Sequence, residues 1–412
     1  MFDGTNIIAG LEIGTTKICV VIGELKADGS LNILGLGQSP SNGVRKGEFV
    51  NPKEVAEDVR VALAQAEMMA DLEIRSLYVG VTGGHIRCFN NRGIHHVYSA
   101  DREITQEDVE DVILNAKAVN LPFDNSILHS IRQHFIVDGE DGVSDPVGMH
   151  AAQLQVNLHV IHGKTNRLQN VLRLVQTTSL QVDDVVFNGL ASSLALLSAE
   201  QKDLGALVID MGGGTTEYAV YSEGVIRHSG VLAVGGDHIT NDLAYGLKIS
   251  LRQAEKLKKA HGSALVNEEI GDQTVSVTDE LGMEIKRVKA GHVHLIMSAR
   301  IEEVFKIIAE EVTGAGLMNL LRAGVVLGGG GTHAPGIVKL AEKVFQMDVA
   351  IGRVQNTGGL VEALEEPEFA TAIGLVRFGA INRRKPVAPP GWLARLKAFI
   401  KNLFALLRSK DS

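Results

Sequence analysis

Residues 207–224 read LVIDMGGGTTEYAVYSEG, and residues 9–24 read AGLEIGTTKICVVIGE. Both stretches contain an apolar run, an acidic residue, a glycine turn, a pair of threonines and a second apolar run. An apolar run on each side of a glycine turn predicts a β-hairpin. The same hairpin is therefore predicted twice, far apart in one chain, and this repeat decides the fold that we expect.

The two hairpins have the composition of a phosphate site. Glu12 in the first matches Asp210 in the second, and Gly14 matches the turn Gly212–Gly214. Glycine lets backbone N–H groups approach an anion closely, and an acid at a strand end can hold a hydrated divalent cation. Hydroxyl donors come from the paired threonines, Thr15, Thr16, Thr215 and Thr216. Two such hairpins facing each other would clamp a polyphosphate from both sides.

The length and composition indicate an ordinary multidomain globular protein. A chain of 412 residues is too long for one hydrophobic core, so two or more domains are expected. Cys19 and Cys88 lie in apolar surroundings, which predicts reduced thiols and a cytoplasmic address. The first 14 residues lack the basic start of a signal peptide, and no uncharged apolar run of 18 residues occurs. We therefore expect neither a leader nor a membrane-spanning helix.

Charge is distributed unevenly along the chain. The net charge is −9, and residues 383–412 carry eight basic side chains and one acid, or +7. The rest of the chain therefore carries −9 − 7 = −16. An acidic body argues against nucleic-acid binding, whereas the basic end requires an anionic partner.

Alternating strands and helices occupy most of the chain and predict an α/β fold. Residues 85–163 interrupt this alternation, because they are polar, rich in histidine and contain one clear amphipathic helix. We interpret them as an inserted α+β subdomain. Residues 236–300 are charged and mostly helical; one long helix is predicted from about Gly291 to Leu321, and another over 189–201.

Several further motifs complete a pattern that resembles a known superfamily. They are VVFNGLASSLALL, VVLGGGGTHAPGI and EPEFATAIGLVRFG, at residues 185–197, 325–337 and 366–379. With the paired hairpins, they resemble the actin, sugar-kinase and large heat-shock chaperone superfamily and, within it, the bacterial FtsA cell-division family over nearly the whole chain. The resemblance implies an actin-like, ribonuclease-H-like fold of two lobes, with the inserted subdomain and a C-terminal amphipathic helix.

The resemblance also implies a domain organisation. It places subdomain 1A at residues 1–84, 164–203 and 360–382, subdomain 1C at 85–163, subdomain 2A at 204–235 and 301–359, and subdomain 2B at 236–300. A linker over 383–391 would then lead to a membrane-targeting helix over 392–410.

Site residues follow from the resemblance position by position. The implied cofactors are ATP and Mg²⁺, with Glu12 and Asp210 as the metal acids, acting through water. Lys17 is placed to reach phosphate oxygens as a point charge. The full nucleotide set is Gly14, Thr15, Thr16, Lys17, Gly212, Gly213, Gly214, Thr215, Thr216, Glu255, Lys258, Gly329, Gly330 and Gly331.

Two departures bear on activity. The superfamily usually carries aspartate where this chain has Glu12, and the extra methylene can alter metal placement. Actin-type filament ATPases orient the attacking water with a glutamate or glutamine, whereas Asn188 is the residue nearest that position here. We assign no catalytic residue and expect, at most, a slow ATPase in which ATP serves binding and polymerisation.

The C-terminal stretch has the pattern of a helix that lies in a membrane surface. Apolar residues recur at steps of three and four between residues 392 and 408, and basic residues interrupt them. A segment this short and charged cannot span a bilayer. The predicted membrane-binding residues are Trp392, Leu393, Arg395, Leu396, Phe399, Ile400, Lys401, Leu403, Phe404 and Leu407.

The resemblance therefore implies a cell-division protein. Such a protein polymerises on the inner face of the cytoplasmic membrane, binds anionic lipid, anchors the FtsZ ring through the C-terminal peptide of FtsZ, and helps recruit later division proteins. The FtsZ peptide would dock on residues 236–300.

Two alternatives compete with this interpretation. Gly329-x-Gly331-x-x-Ala334 with Asp348 also fits a dinucleotide fingerprint, but Asp348 precedes a strand where a ribose-binding acid should end one. A small-molecule (sugar-type) kinase shares the superfamily fold, but it needs a catalytic acid that does not stand out, and it has no use for the C-terminal helix.

Overall fold

A computed structural model describes residues 6–99, 101–266, 272–279, 281–355, 357–359 and 365–384. The first ten strands are β1 Ile7–Ile13, β2 Lys17–Leu25, β3 Leu31–Pro40, β4 Val44–Arg45, β5 Glu48–Phe49, β6 Ser76–Val81, β7 Arg87–His96, β8 Asn125–Val137, β9 Glu140–Val143 and β10 Gln153–Lys164. The others are β11 Gln181–Phe187, β12 Ala206–Met211, β13 Thr216–Ser222, β14 Val225–Leu232, β15 Thr274–Thr278, β16 Glu284–Lys289, β17 Val325–Gly328, β18 Val349–Ile351 and β19 Thr357–Gly359.

The helices lie mostly between the strands, as the α/β prediction requires. They are α1 Pro52–Ala70, α2 Gln106–Lys117, α3 Thr165–Gln176, α4 Asn188–Leu196, α5 Ala199–Leu204, α6 Gly236–Leu247, α7 Leu251–His261, α8 Ala290–Gly314, α9 Ile337–Phe345 and α10 Ala370–Arg384.

Each lobe is built on a sheet of the same design. The first has the strand order β11-β6-β1-β2-β3-β19, and the second has the order β14-β13-β12-β17-β18. In both, a three-stranded antiparallel meander begins with one of the repeated hairpins, and two further strands add in parallel to the first strand of that hairpin. The repeated hairpin therefore marks a repeated lobe, and the actin-like fold is confirmed.

Apolar strands in both lobes are covered on both faces. In the first lobe, α1 and α3 bury one face of the sheet and α4 and α10 bury the other. In the second, α6, α7, α8 and α9 cover one face, while α4 covers the other. Helix α4 thus lies between the lobes, where its small residues Ser192 and Ser193 are fully buried.

The insertion forms its own α+β unit. Its sheet has the order β7-β10-β8-β9, and α2 packs across one face over a small apolar core. Thr105 caps α2 by accepting a hydrogen bond from the backbone N–H of Asp108, at 3.3 Å. The chain leaves the first lobe after β6 and returns at α3, so the insertion is rooted at two neighbouring points.

Two helices differ from their predicted extents. The long helix ends at Gly314 and not near Leu321, because Gly316 takes a φ of 74°, a left-handed conformation that terminates helices. The helix predicted over 189–201 is two helices, since Ser198 caps α5 by accepting a hydrogen bond from the N–H of Gln201 at 3.1 Å. Apolar periodicity alone did not detect these local signals.

No helix in the described ranges is long and apolar enough to cross a bilayer. The predicted amphipathic helix at 392–410 lies outside the residues that the structure describes.

Candidate functional site

The turns of the two hairpins meet between the lobes. A Cβ on Gly213 would lie 2.4 Å from Cγ2 of Thr16, and a Cβ on Gly214 would lie 2.3 Å from Oγ1 of Thr15. Since no side chain fits at these glycines, each turn offers backbone N–H groups to the space between the lobes. The face-to-face arrangement that the repeat suggested is therefore present.

A cavity of about 420 Å³ opens at this meeting point. Every residue of the predicted nucleotide and metal sets lines it except Thr216. Residues that the sequence interpretation did not name also line it, among them Thr82, Glu217, Ile239, Met297, His333, Glu368 and Thr371. The lining residues come from nine separate stretches of the chain, and apolar periodicity could not predict that these stretches meet.

Thr216 lies behind the turn. Its side chain is buried, and its hydroxyl donates a hydrogen bond to the carbonyl oxygen of Val234 at 2.8 Å. This bond ties the second hairpin to the segment that enters α6. Thr216 supports the site from behind, and its hydroxyl is already used.

Lys17 lies at the junction of three elements. Its Nζ is 3.5 Å from a carboxylate oxygen of Glu12, donates a hydrogen bond to the carbonyl of Glu368, and sits 4.9 Å from the ring centre of Phe369. Burial lowers the pKa of Lys17, but the neighbouring carboxylates outweigh it and the net shift is upward. The ammonium is therefore charged and stands beside the glycine turns.

Asp210 ends the strand β12 and is almost fully buried. One of its oxygens accepts a hydrogen bond from the hydroxyl of Thr371 at 2.8 Å. Burial raises the pKa of Asp210, while Thr371 and Lys17 oppose this shift. Burial likewise raises the pKa of Glu12, opposed by Lys17. Two carboxyl groups thus face one cation, an arrangement that favours a further positive charge in the cavity.

Glu217 is a site acid that the sequence interpretation missed. It pairs with Asp210 across β12 and β13, and its carboxylate accepts a hydrogen bond from the hydroxyl of Thr82 on the first lobe. Burial, followed by the charge of Asp210, raises the pKa of Glu217 to about 8. The only sequence signal is an acid inside the apolar run TEYAVYS, which is unusual for a buried strand.

The two charged residues predicted on α7, Glu255 and Lys258, contact each other and are hydrogen-bonded to α6. Glu255 and Lys258 form an ion pair of 2.6 Å. Lys258 also donates hydrogen bonds to Thr240 Oγ1 at 2.8 Å and to the carbonyl of Gly236 at 3.0 Å. Both side chains line the cavity, at the side formed by the second lobe.

Gly329 begins the third glycine segment with a φ of 79°. A Cβ here would lie 2.3 Å from Oδ1 of Asp210 and 2.6 Å from the carbonyl oxygen of Met211. Only glycine therefore fits where this loop passes under the second hairpin. Gly330 and Gly331 continue the loop along the cavity wall.

The donor set suits a hard divalent cation that keeps part of its water shell. Glu12 and Asp210 offer carboxylate oxygens, which Mg²⁺ prefers. Oε2 of Glu12 and Oδ1 of Asn188 are buried without a hydrogen-bond partner. Within the described ranges, no group of three His, Cys, Asp or Glu side chains forms a metal site by itself. The residues fit a cation that is also held by phosphate and water.

Comparison with known proteins identifies the family. The family model described as "Cell division protein FtsA" matches residues 207–374, and the model "SHS2 domain inserted in FTSA" matches residues 83–162. The cell division protein FtsA of Neisseria meningitidis serogroup B is 38% identical over 411 residues, which is 96% of this chain and 98% of that protein. The chain belongs to the FtsA family.

The FtsA of Escherichia coli K12 is 34% identical, over 97% of this chain and 98% of the relative. The predicted family is thus confirmed, and the chain is an actin-like cell-division protein with the SHS2 insertion that marks FtsA. The relatives give no support to the sugar-kinase alternative.

Solved structures show the same fold at low identity. The PilM–PilN type IV pilus biogenesis complex superposes with a TM-score of 0.65 at 15% identity, covering 90% of this chain and 98% of that chain. MreB5 of Spiroplasma citri bound to ADP gives a TM-score of 0.53 at 14% identity, covering 93% and 100%. These likenesses place the FtsA chain within the actin-like architecture.

Proposed function

We propose that this FtsA-family chain binds ATP with Mg²⁺ in the cleft between its lobes. The observation that carries the proposal is the meeting of two glycine-turn hairpins at one cavity, with Lys17, Glu12 and Asp210 beside the turns. Solved MreB5 structures of this fold contain ADP and AMPPNP. The proposal assigns a nucleotide of this kind to the cleft between the hairpins here.

Each segment has a separate task in this proposal. The N–H of Gly212 closes the turn by donating to the carbonyl of Thr215 at 2.9 Å, so the amides of Gly213 and Gly214, with the ammonium of Lys17, would bind phosphate oxygens. Glu255 and Lys258 flank the ribose and adenine. Gly330 and Gly331 let the backbone pass under the base. Glu12 and Asp210 would hold Mg²⁺ through water, and the bound ion would neutralise phosphate charge.

Hydrolysis is expected to be slow. The side-chain amide of Asn188 cannot take up a proton at neutral pH. Glu217 has a pKa of about 8, so it is mostly protonated at that pH, and it is already hydrogen-bonded to Thr82. A protonated carboxyl group cannot act as a general base. ATP therefore serves mainly as a structural ligand that closes the lobes and favours polymerisation.

The proposal places the protein on the cytoplasmic face of the inner membrane at the division site. The predicted helix at 392–410 supplies apolar side chains and basic residues for anionic lipid. Attachment would be peripheral, because a segment of this length with five basic residues cannot span a bilayer. On this surface the chain forms filaments, anchors FtsZ and recruits later division proteins.

A groove where subdomain 2B meets 2A is the proposed site for the FtsZ C-terminal peptide. A cavity of about 790 Å³ lies between α6 and α8, and Tyr245 at its wall is 90% exposed. Ile296 and Ile307 add apolar surface. The lining cations Arg300 and Lys306 are paired with Asp242 and Glu302, so the aromatic and apolar side chains would carry the binding.

Co-sedimentation with vesicles, ATP and FtsZ tests the proposal. We expect the chain to sediment with anionic vesicles, to bring FtsZ with it, and to form longer assemblies with ATP. Tyr245→Ala should leave vesicle binding intact and lose FtsZ, with Tyr98→Ala, an exposed tyrosine outside the groove, as the control. Turnover of a small substrate that does not depend on vesicles would contradict the proposal and restore the kinase alternative.

A further inference from the structure

The inserted subdomain contacts the second lobe, although it grows out of the first. Strand β14 is the edge strand of the second lobe's sheet, and the insertion lies along its open side. Nε2 of Gln133 donates to the carbonyl of Ile226 at 2.6 Å, and Nδ2 of Asn90 donates to the carbonyl of Arg227 at 2.9 Å. Side-chain amides thus satisfy an edge that would otherwise be free to pair with another chain.

A buried histidine completes this interface. His159 is fully buried, with Nε2 2.8 Å from the hydroxyl of Ser229 on β14 and Nδ1 2.7 Å from Oδ1 of Asn90. The Ser229 hydroxyl also lies 3.1 Å from the sulfur of Cys88. Separating the insertion from β14 would leave several buried polar groups without hydrogen-bond partners, which costs free energy. We therefore expect the insertion to move together with β14.

The root of the insertion is narrow. The chain leaves the first lobe through Thr82, Gly83 and Gly84, where Gly83 has a φ of 125°. It returns at Gly163 and Lys164, whose backbone N–H donates to Nδ1 of His85 at 3.3 Å. The insertion also contacts the first lobe directly, because Ile86 and Ile161 belong to its core and the N–H of Phe187 donates to Nε2 of His129 at 3.1 Å. Rotation of the insertion about the two crossings therefore has to shift these contacts.

The same root lies at the wall of the nucleotide cavity. The hydroxyl of Thr82 donates to the carboxylate of Glu217 on β13 and is 3.4 Å from the hydroxyl of Thr215. A Cβ on Gly84 would lie 3.2 Å from the Cβ of Ala233, just after β14. One small region therefore contains the second hairpin, the end of β6 and the start of the insertion.

We propose that the inserted subdomain reports the nucleotide state of the cleft. Its root belongs to the first lobe, whereas its sheet is bonded to β14 of the second, so closure of the lobes on a ligand turns the insertion. Any surface that the insertion presents to another protein is then presented in a nucleotide-dependent orientation. This inference rests on the proposed binding of ATP.

Hydrogen exchange of the full chain, with and without ATP and Mg²⁺, tests the proposal. We expect protection around residues 207–217, and a change of at least about fivefold in exchange over β8 and β10, the lower limit of typical coupling between sites. The double variant Gln133→Ala, Ser229→Ala removes two contacts with β14. It should keep ATP affinity within about twofold and lose the response of the insertion.

Gln155→Ala is the matched control, because Gln155 lies on β10 but bonds Gln153 and not the second lobe. It should respond like the unaltered chain. Protection of the cleft with no change in the insertion would overturn the inference but not the proposed binding of ATP. A response of the insertion that survives in the double variant would have the same meaning. No protection anywhere would overturn the proposed nucleotide binding itself. If the double variant does not fold, hydrogen exchange of the unaltered chain with and without ATP still tests the inference.

Discussion

At the scale of single residues, the cleft is defined by charges that face one another and by glycines that leave room. Lys17 is one cation among Glu12, Asp210, Glu217 and Glu368. Burial raises the pKa of Asp210 and of Glu217, and the charge of Asp210 adds to the shift of Glu217. A bound Mg²⁺ would offset the excess of acids, so nucleotide affinity should depend strongly on the metal.

Asp210→Asn tests the metal assignment. The substitution keeps the shape and the contact with Thr371 but removes the charge that would hold a metal-bound water. We expect fluorescent ATP to bind roughly tenfold more weakly in the presence of Mg²⁺, as is typical when a metal's supporting acid is lost. In EDTA, the variant and the unaltered chain should bind alike. Asp348→Asn, an exposed acid before β18, is the control and should change nothing; equal affinity of Asp210→Asn with Mg²⁺ would remove Asp210 from the site.

Gly329→Ala tests the close approach of the third loop. A Cβ here meets Asp210 at 2.3 Å in addition to the cost of a φ of 79°. Gly316→Ala is a matched control, with a φ of 74° and open space around its Cβ. Gly316→Ala should lower the free energy of unfolding by about 1 kcal/mol and leave ATP binding unchanged. Gly329→Ala should cost more and abolish binding; urea unfolding and ATP titration measure both, and equal effects would mean that the loop can move aside.

At the scale of elements, the same strand order in both sheets follows from the repeated hairpin. What the repeat does not specify is the edge of each sheet. In the second lobe, the insertion satisfies the edge strand β14 through Gln133 and Asn90. In the first, β19 pairs only with Leu31–Ile33 of β3, and side chains of α1 cover the rest of that edge, where the N–H of Gln38 donates to Oε1 of Gln65 at 3.1 Å. Both edges are protected by contacts from distant segments.

Buried histidines make the insertion sensitive to acid. Burial lowers the pKa of His159 to about 3 and that of His129 to about 4. Between pH 6.5 and 4 these two rings therefore bind more protons in the unfolded chain, so their contribution to stability is complete above pH 6.5 and falls as the pH decreases. Each histidine should cost about 2 kcal/mol between pH 6.5 and 5, at 1.36 kcal/mol per pH unit.

Urea unfolding at pH 8, 7, 6 and 5 measures this loss. His85, His162, His228 and His238 also have lowered pKa values and act in the same direction. His159→Gln should be less stable at pH 8 and show a flatter dependence on pH. The raised pKa of Glu217 acts in the opposite direction over this range, so the histidine contribution is taken from the difference between His159→Gln and the unaltered chain. A difference that stays the same from pH 8 to pH 5 would show that the His159 ring is accessible to protons in the folded protein.

The predicted C-terminal helix should bind membranes through two separable contributions. Phe399→Glu places a charge on the apolar face, so vesicle binding should be lost at any salt concentration. Lys401→Ala removes only electrostatic attraction of about 1 kcal/mol and should matter less at high salt. Flotation with anionic and neutral vesicles distinguishes the two. A Phe399→Glu chain that still floats would mean that the segment binds a protein partner or its own core.

At the scale of the whole molecule, the described residues form two lobes with a cleft between them and an insertion that bridges both. A chain that ends before Pro390 should therefore remain folded and bind ATP as the full chain does, but should not float with vesicles. Circular dichroism, ATP titration and flotation check the three expectations. Loss of the fold on truncation would place the C-terminal segment in the core and contradict the membrane proposal.

Much of the architecture could be predicted from local sequence, because hairpins, glycine turns and apolar strands are properties of short segments. The twin hairpins, the insertion and the family followed from residues that stand close together in the chain. The prediction missed the end of α8 and the break between α4 and α5. Gly316 and Ser198 set these boundaries through backbone conformation and capping, which apolar periodicity does not detect.

The sequence by itself determined that two glycine-turn hairpins exist, and with them the two lobes and the family. Only the tertiary structure decided which side chains complete the cleft. Glu217 and Thr82 meet across the lobes, Thr216 turns away to bond Val234, and His159 joins the insertion to β14. The reason is physical: the role of a buried polar group depends on the partner that burial provides, and here those partners come from segments distant in the chain.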